Sequence, residues 1–198
     1  MESLNHKLFL WLNAPEHPGA LLLTLAIFFA ERLIWAIPLL IGIGWLRGSE
    51  NTRKTLLVAT ASGLLGLLIS QFIGLAWSHS RPFMIGMGHN LIPHAADSSF
   101  PSDHLTLWWS VAFSLLLQRR TRSAGLALAS LGIPIAWARI YLGVHFPFDM
   151  LGAVAVAAFS AWLTLHEARW CLGPSYRLAT SIHRRCFSGL IARGWVRE

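Results

Sequence analysis

Three short segments of the chain carry side chains suited to phosphoryl transfer. Arginine presents a planar fork of N–H donors that matches phosphate oxygens. A neutral imidazole can attack phosphorus, and a second imidazole can protonate the departing oxygen. The segments are Arg81-Pro82, Pro101-Ser102-Asp103-His104 and Arg139-x5-His145-x3-Asp149. Together they predict a phosphatase site with a histidine nucleophile.

The spacing within two of these segments indicates how the side chains would cooperate. Asp149 follows His145 by four residues, so the two would share one face if the segment is helical. The carboxylate would then hold the proton of one ring nitrogen and set the tautomer of the histidine. Ser102 precedes an apolar run and is placed to cap a helix whose first N–H groups would face the phosphate.

The composition indicates that a membrane-embedded bundle positions these segments. The 198 residues are 55% hydrophobic and 13% charged, whereas a soluble domain averages about 25% charged residues. This length suits a single domain over residues 1–198. The net charge of +7 comes from short basic clusters between apolar runs. No continuous basic face is visible, which argues against a nucleic-acid partner.

We predict an all-α, polytopic membrane bundle of about five spans, or six if Glu31-Arg32 divides the first. A span needs about 20 apolar residues. The apolar stretches cover residues 19–46, 55–77, 105–117 with an extension back to 102, 123–142 and 148–166. Residues 3–13 and 174–193 mix apolar with polar or basic residues, and we predict interfacial amphipathic helices there.

The basic residues predict the orientation of the bundle. The links 47–54 and 119–122 and the C-terminal tail hold 12 of the 16 lysine and arginine residues. Five spans place all three on one side, which the positive-inside rule assigns to the cytoplasm. The N-terminus, the loop 78–102 and the three phosphatase segments then lie on the opposite face of the membrane.

With these residues in view, the chain resembles the type 2 phosphatidic acid phosphatase (PAP2) superfamily. The signatures of that family read roughly Lys-x6-Arg-Pro, Pro-Ser-Gly-His and Ser-Arg-x5-His-x3-Asp. A narrower similarity is to bacterial undecaprenyl pyrophosphate phosphatases of the bacitracin-resistance type. The stretches that carry it are His94–His104, Tyr141–His145 and Arg193–Arg197.

The resemblance implies a role for each matching residue. His145 would be the nucleophile and form a phosphohistidine, with Asp149 orienting the ring. His104 would protonate the leaving group and then activate water. The implied phosphate-binding residues are Arg81, Ser102, Asp103 through its backbone, and Arg139. The resemblance implies no metal and no other cofactor, and the sequence has no carboxylate cluster suited to magnesium or calcium.

Three positions depart from the family signatures. Gly74 stands where the first signature has lysine, and Ala138 stands where the third has serine. His79 and His94 are the candidates to substitute for the lysine. Asp103 replaces the glycine of the second signature. We expect its N–H to bind phosphate while its carboxylate turns towards a histidine or an arginine.

The leading hypothesis is dephosphorylation of undecaprenyl pyrophosphate to undecaprenyl phosphate at the periplasmic face, which recycles the lipid carrier of peptidoglycan synthesis. The expected partners are this polyprenyl diphosphate and the bilayer, and the oligomeric state stays open. One alternative is a broader lipid phosphatase acting on phosphatidylglycerophosphate, phosphatidate or diacylglycerol pyrophosphate, and another is a lipid phosphotransferase. A non-enzymatic lipid transporter is a third alternative. Intramembrane charges could line its path, although no inverted repeat is evident. For Glu31, the functional hypothesis is that it lines the substrate pocket.

Overall fold

The computed structural model describes residues 1–197 and contains no β-strand within them. The helices are α1 (Glu2–Leu12), α2 (Ala20–Ile27), α3 (Ala36–Arg47), α4 (Glu50–Ala76), α5 (Asp103–Leu117), α6 (Arg122–Tyr141) and α7 (Pro147–Ala192). The prediction of an all-α, polytopic membrane bundle is therefore confirmed. Helix α1 also agrees with the predicted N-terminal amphipathic segment, because it covers nearly the same residues.

The first apolar run stays continuous through its charged pair. Helices α2 and α3 are joined by a π-helical turn at Phe28–Arg32 and a 3-10 turn at Leu33–Trp35. Ala20–Arg47 therefore forms one helical segment of 28 residues. Glu31 and Arg32 mark a local change of helical pitch, and they do not divide the run into two spans.

Within the described residues, four helical segments are long and apolar enough to cross a membrane. They are Ala20–Arg47, Glu50–Ala76, Arg119–Tyr141 and Pro147–Ala192. The remaining predicted span is α5, whose 15 residues reach only about 22 Å at 1.5 Å per residue. This helix packs against α4, α6 and α7 and is mostly buried, so it forms the centre of the bundle.

The predicted C-terminal interfacial helix does not exist as a separate element. Residues 174–192 continue the last span in α7, which covers 46 residues, contains Pro174 and has a kink with non-helical backbone angles at Phe187 (φ −112°, ψ 15°). At 1.5 Å per residue, the part of α7 that precedes the kink at Phe187 is about 60 Å long, about twice the ~30 Å hydrocarbon core. Its far half is held by His183, which is buried and whose Nδ1 accepts a hydrogen bond from the Trp45 indole N–H at 3.2 Å.

Helix α1 covers the turn between α6 and α7. Phe9 is fully buried, and its ring centroid lies 5.2 Å from that of Phe146. The Asn5 side chain accepts a hydrogen bond from the Phe148 N–H at 3.0 Å. Since the first N–H groups of a helix lack partners within it, Asn5 caps the start of α7 from outside. These contacts fix the position of the segment that carries His145.

Candidate active site

The three predicted segments meet at one end of the bundle, at the loop between α4 and α5, the start of α5 and the turn between α6 and α7. Five of the predicted site residues have at most 4% of their surface exposed. These buried residues are Arg81, Ser102, Arg139, His145 and Asp149. Polar side chains are rarely buried unless they bind one another or a ligand, so this end of the bundle has the character of a binding site.

His145 and Asp149 form a hydrogen-bonded pair. The Nδ1 atom of His145 lies 3.2 Å from Oδ2 of Asp149. The same oxygen accepts the Phe146 N–H at 2.8 Å and the Ser99 hydroxyl. Helix α7 begins at Pro147, so the pair does not share a helical turn as the spacing predicted. Asp149 instead caps the start of its own helix, and the cap brings its carboxylate beneath the imidazole.

Arg81 is fixed beside the other nitrogen of the imidazole. Its Nη1 lies 3.1 Å from Nε2 of His145 and donates to the Val144 carbonyl at 2.9 Å. Its Nη2 donates to the Ser98 carbonyl at 3.2 Å, and its Nε donates to Asp97 at 2.8 Å. The guanidinium is therefore held in place, with one N–H edge next to the reactive nitrogen.

The electrostatics of the site keep His145 neutral. Burial, followed by the positive charges of Arg139 and Arg81, holds the pKa of His145 well below its ordinary value of 6.5. The carboxylate of Asp149 can only accept from Nδ1, which then carries the ring proton. The lone pair lies on Nε2, where it faces the Nη1 of Arg81 at 3.1 Å, and it becomes the nucleophile when that N–H turns to a phosphate oxygen.

Two buried donors of the site have no hydrogen-bond partner among residues 1–197. They are the Nε of Arg139 and the hydroxyl of Ser102. The rest of the Arg139 fork is held, since Nη1 donates to the Ala30 carbonyl in the π turn at 3.4 Å and Nη2 lies 2.8 Å from Nε2 of His94. Ser102 precedes α5 as predicted, but its side chain makes no capping hydrogen bond. Both donors are available to an oxyanion.

The predicted direction of the Asp103 side chain is wrong. Its carboxylate accepts from the hydroxyl of Ser70 at 2.6 Å and from the amide of Gln71 at 2.9 Å. Both partners belong to α4, which packs along α5 and presents polar groups to its first turn. The carboxylate therefore points to neither a histidine nor an arginine. The first N–H groups of α5 remain without partners inside the helix, as the predicted backbone role requires.

The remaining histidines divide between the site and its edge. His104 lies in the first turn of α5, where the positive charge of Arg139 acts on it. The ring centroid of His94 is 6.2 Å from that of His145. His79 instead has its Nε2 3.8 Å from Glu2 on α1. Of the two candidates to replace the lysine, only His94 contacts one of the predicted phosphate-binding arginines.

Sequence reasoning missed three contributors to this site. Asp97, Ser99 and the carbonyl of Ala30 lie at no recognisable spacing from the residues they bind. Asp97 and Ser99 fall in the long loop, and Ala30 lies in an apolar span, where only the neighbouring charged pair gave a signal. Within residues 1–197, no group of three or more His, Cys, Asp or Glu side chains is arranged to hold a metal ion.

Comparison with known sequences adds evidence independent of the geometry. A sequence model of the PAP2 superfamily matches residues 54–171. The putative undecaprenyl-diphosphatase YbjG of Escherichia coli is 37% identical over 199 aligned residues, with 100% of each chain covered. The undecaprenyl-diphosphatase BcrC of Bacillus subtilis is 36% identical over 81% of this chain and 82% of its own.

Two solved structures share the fold. The crystal structure of LpxE from Aquifex aeolicus superposes with a TM-score of 0.64 and 20% identity, covering 82% of this chain and 95% of that one. A PAP2-type phosphatidylglycerolphosphate phosphatase from Bacillus subtilis gives a TM-score of 0.54 and 19% identity, covering 86% and 87%. At these identities the likeness concerns the arrangement of helices alone.

Proposed function

Because the chain belongs to the PAP2 superfamily and is a phosphatase, we propose that it hydrolyses undecaprenyl pyrophosphate to undecaprenyl phosphate and inorganic phosphate. The proposal is supported by relatives named for that activity over all or most of the chain. The observation that carries it is geometric. A buried, neutral imidazole has one nitrogen against Asp149 and the other 3.1 Å from Arg81.

The first step transfers phosphorus to the protein. The Nε2 of His145 attacks the terminal phosphorus while Arg81, Arg139 and the Ser102 hydroxyl bind its oxygens. The bond between that phosphorus and the bridging oxygen breaks. His104, which takes up a proton when the anionic substrate binds beside it, gives that proton to the departing lipid phosphate. The imidazole gains positive charge as the phosphohistidine forms, and the carboxylate of Asp149 stabilises that charge.

The second step returns the protein to its starting state. His104 has given up its proton, so it can accept one from a water molecule. The oxygen of that water attacks the phosphorus, and the bond to Nε2 of His145 breaks. Inorganic phosphate leaves, His104 is protonated again, and the neutral imidazole of His145 is restored. Each proton gained by one group is lost by another.

A substrate panel tests the lipid specificity. We expect the kcat/KM of the purified wild type for undecaprenyl pyrophosphate to be at least about tenfold above that for the other lipids. These are phosphatidate, phosphatidylglycerophosphate and diacylglycerol pyrophosphate. A tenfold difference corresponds to ~1.4 kcal/mol of differential transition-state binding. The measurement is phosphate release in detergent. Equal rates on phosphatidate and undecaprenyl pyrophosphate would contradict the specific assignment and favour a broader lipid phosphatase.

We also propose that the site faces the periplasm of the bacterial inner membrane. The two cysteines, Cys171 and Cys186, are exposed free thiols that report the opposite face. Cys186 lies 39 residues beyond Pro147, about 58 Å along α7 and beyond a ~30 Å hydrocarbon core. In a Cys171→Ser protein, Cys186 should therefore react with a membrane-impermeant maleimide in inverted vesicles and not in intact spheroplasts.

A matched reporter lies near the site. Glu16 is exposed in the segment after α1, close to Asn13, whose side chain donates to the His89 carbonyl at 3.0 Å. A Glu16→Cys variant without the two native cysteines should be labelled in spheroplasts. The reverse labelling pattern in the two proteins would place the site in the cytoplasm and refute the proposed orientation.

A further inference from the structure

One histidine of the site has no part in the two steps above. His94 lies in the loop between α4 and α5 and is half-buried beside the exposed residues Ala95 and Ala96. Its Nε2 is 2.8 Å from Nη2 of Arg139, and its ring centroid is 6.2 Å from that of His145. It therefore touches a deeply buried guanidinium from the exposed side of the site and borders the nucleophile.

The hydrogen bonds of His94 define its protonation. Its Nδ1 lies 3.1 Å from the Ala95 carbonyl, which only accepts, so this nitrogen carries a hydrogen. The guanidinium of Arg139 only donates, so Nε2 accepts from it. The ring is therefore neutral. Burial lowers the pKa of His94, and the positive charges of Arg81 and Arg139 lower it further. The hydrogen bond to the Ala95 carbonyl acts in the opposite direction.

We infer that His94 and Arg139 form the subsite for the second phosphate of a diphosphate, the one that stays on the lipid. This inference rests on the proposed function and names a specificity-determining residue for it. The terminal phosphate lies at Nε2 of His145. The ring centroid of His94 is 6.2 Å from that of His145, so the neighbouring phosphate of the same diphosphate is within reach of His94.

Binding at this subsite changes the hydrogen bonds of His94. The ring takes up one proton from solvent at Nε2, ceases to accept from Arg139 and donates to an oxygen of the second phosphate. The Nη2 of Arg139 is released and donates to the same phosphate. A diphosphate gains these two contacts through its second phosphate, which a monophosphate bound at His145 lacks. The subsite therefore favours diphosphates over monophosphates.

The surrounding charges give this step a definite pH dependence. The cations that face His94 are Arg81 and Arg139, the titratable rings are His104 and His145, and the carboxylate is Asp97. The negative charges of a diphosphate raise the proton affinity of the ring. The unoccupied ring is neutral, so each diphosphate that binds takes up one proton from solution. The affinity for diphosphate should therefore fall as pH rises from 6 to 8, because the proton concentration falls.

The test is calorimetric titration of the detergent-solubilised full chain with two probes, methylenebisphosphonate and orthophosphate. In His94→Gln, we expect the affinity for bisphosphonate to fall at least about tenfold, because a hydrogen bond to a charged group is lost. The affinity for orthophosphate should change less than about twofold. His94→Lys should restore bisphosphonate binding and abolish the proton uptake, measured by comparing buffers of different ionisation enthalpy. His17→Gln, at an exposed histidine outside the site, should behave as the wild type.

Three outcomes would overturn the subsite. They are no bisphosphonate binding by the wild type, equal weakening of both probes in His94→Gln, and unchanged proton uptake in that variant. Equal weakening would mean that His94 only supports the fold around Arg139. The titration involves no turnover. A wild type that binds bisphosphonate through His94 but does not hydrolyse undecaprenyl pyrophosphate would therefore refute the proposed function alone.

Discussion

Replacing His145 with alanine should lower phosphate release from undecaprenyl pyrophosphate by at least about 10⁴-fold, because removing a covalent nucleophile removes the step itself. The site offers no substitute at the same place. The other nearby imidazoles, His94 and His104, do not contact Asp149, whose bonded partners are His145, Phe146 and Ser99. The measurement is phosphate release by purified protein, with folding checked by thermal unfolding in detergent.

A matched variant separates loss of the nucleophile from general damage. His104→Gln keeps His145 and should slow both leaving-group departure and water attack by about 10²- to 10⁴-fold, the usual effect of losing a general acid–base group. If water attack slows more, substrate labelled on the terminal phosphate should leave acid-labile label on the protein. His145→Ala should leave none. If the His145→Ala protein still carried acid-labile label, His145 would not be the phosphorylated residue.

The all-α membrane bundle was predicted from the sequence and is confirmed, whereas the roles of the site residues stay predictions. The contact between His145 and Asp149 was predicted from their spacing and is present in the structure, whereas the deep burial of Arg81 and Arg139 was not predicted. The local backbone structure that brings His145 to Asp149 could not be predicted. A spacing of four suggested one helical turn, but Pro147 starts the helix and leaves His145 outside it. The same contact forms through a helix cap.

The misjudged features depend on packing between distant segments. Asp103 turned towards Ser70 and Gln71 because α4 lies against α5, which no local pattern encodes. Helix α7 continued past Pro174 because His183 is packed at Trp45, more than a hundred residues earlier in the chain. The π turn at Phe28–Arg32 was visible only as a charged interruption, since hydrophobic periodicity does not report helical pitch.

Asp149→Asn should lower kcat by about 10²- to 10³-fold while KM changes little, since the charge acts mainly in the transition state. One oxygen, Oδ2, accepts from His145, Phe146 and Ser99. An asparagine with its carbonyl oxygen in that position keeps all three hydrogen bonds and the tautomer of the imidazole. Only the negative charge is lost. The variant therefore measures how far the carboxylate stabilises the positive charge that develops on the imidazole.

Ser99→Ala is the matched control, because it removes one hydrogen bond to the same oxygen and keeps the charge. A neutral hydrogen bond is worth about 1 kcal/mol, so the loss in kcat should stay below about tenfold. A larger loss in Asp149→Asn than in Ser99→Ala, at similar thermal stability, identifies charge as the contribution of Asp149. Near-wild-type activity in Asp149→Asn would instead mean that the carboxylate only caps the start of α7. The positive charge on the phosphorylated imidazole would then have to be balanced by the phosphate itself.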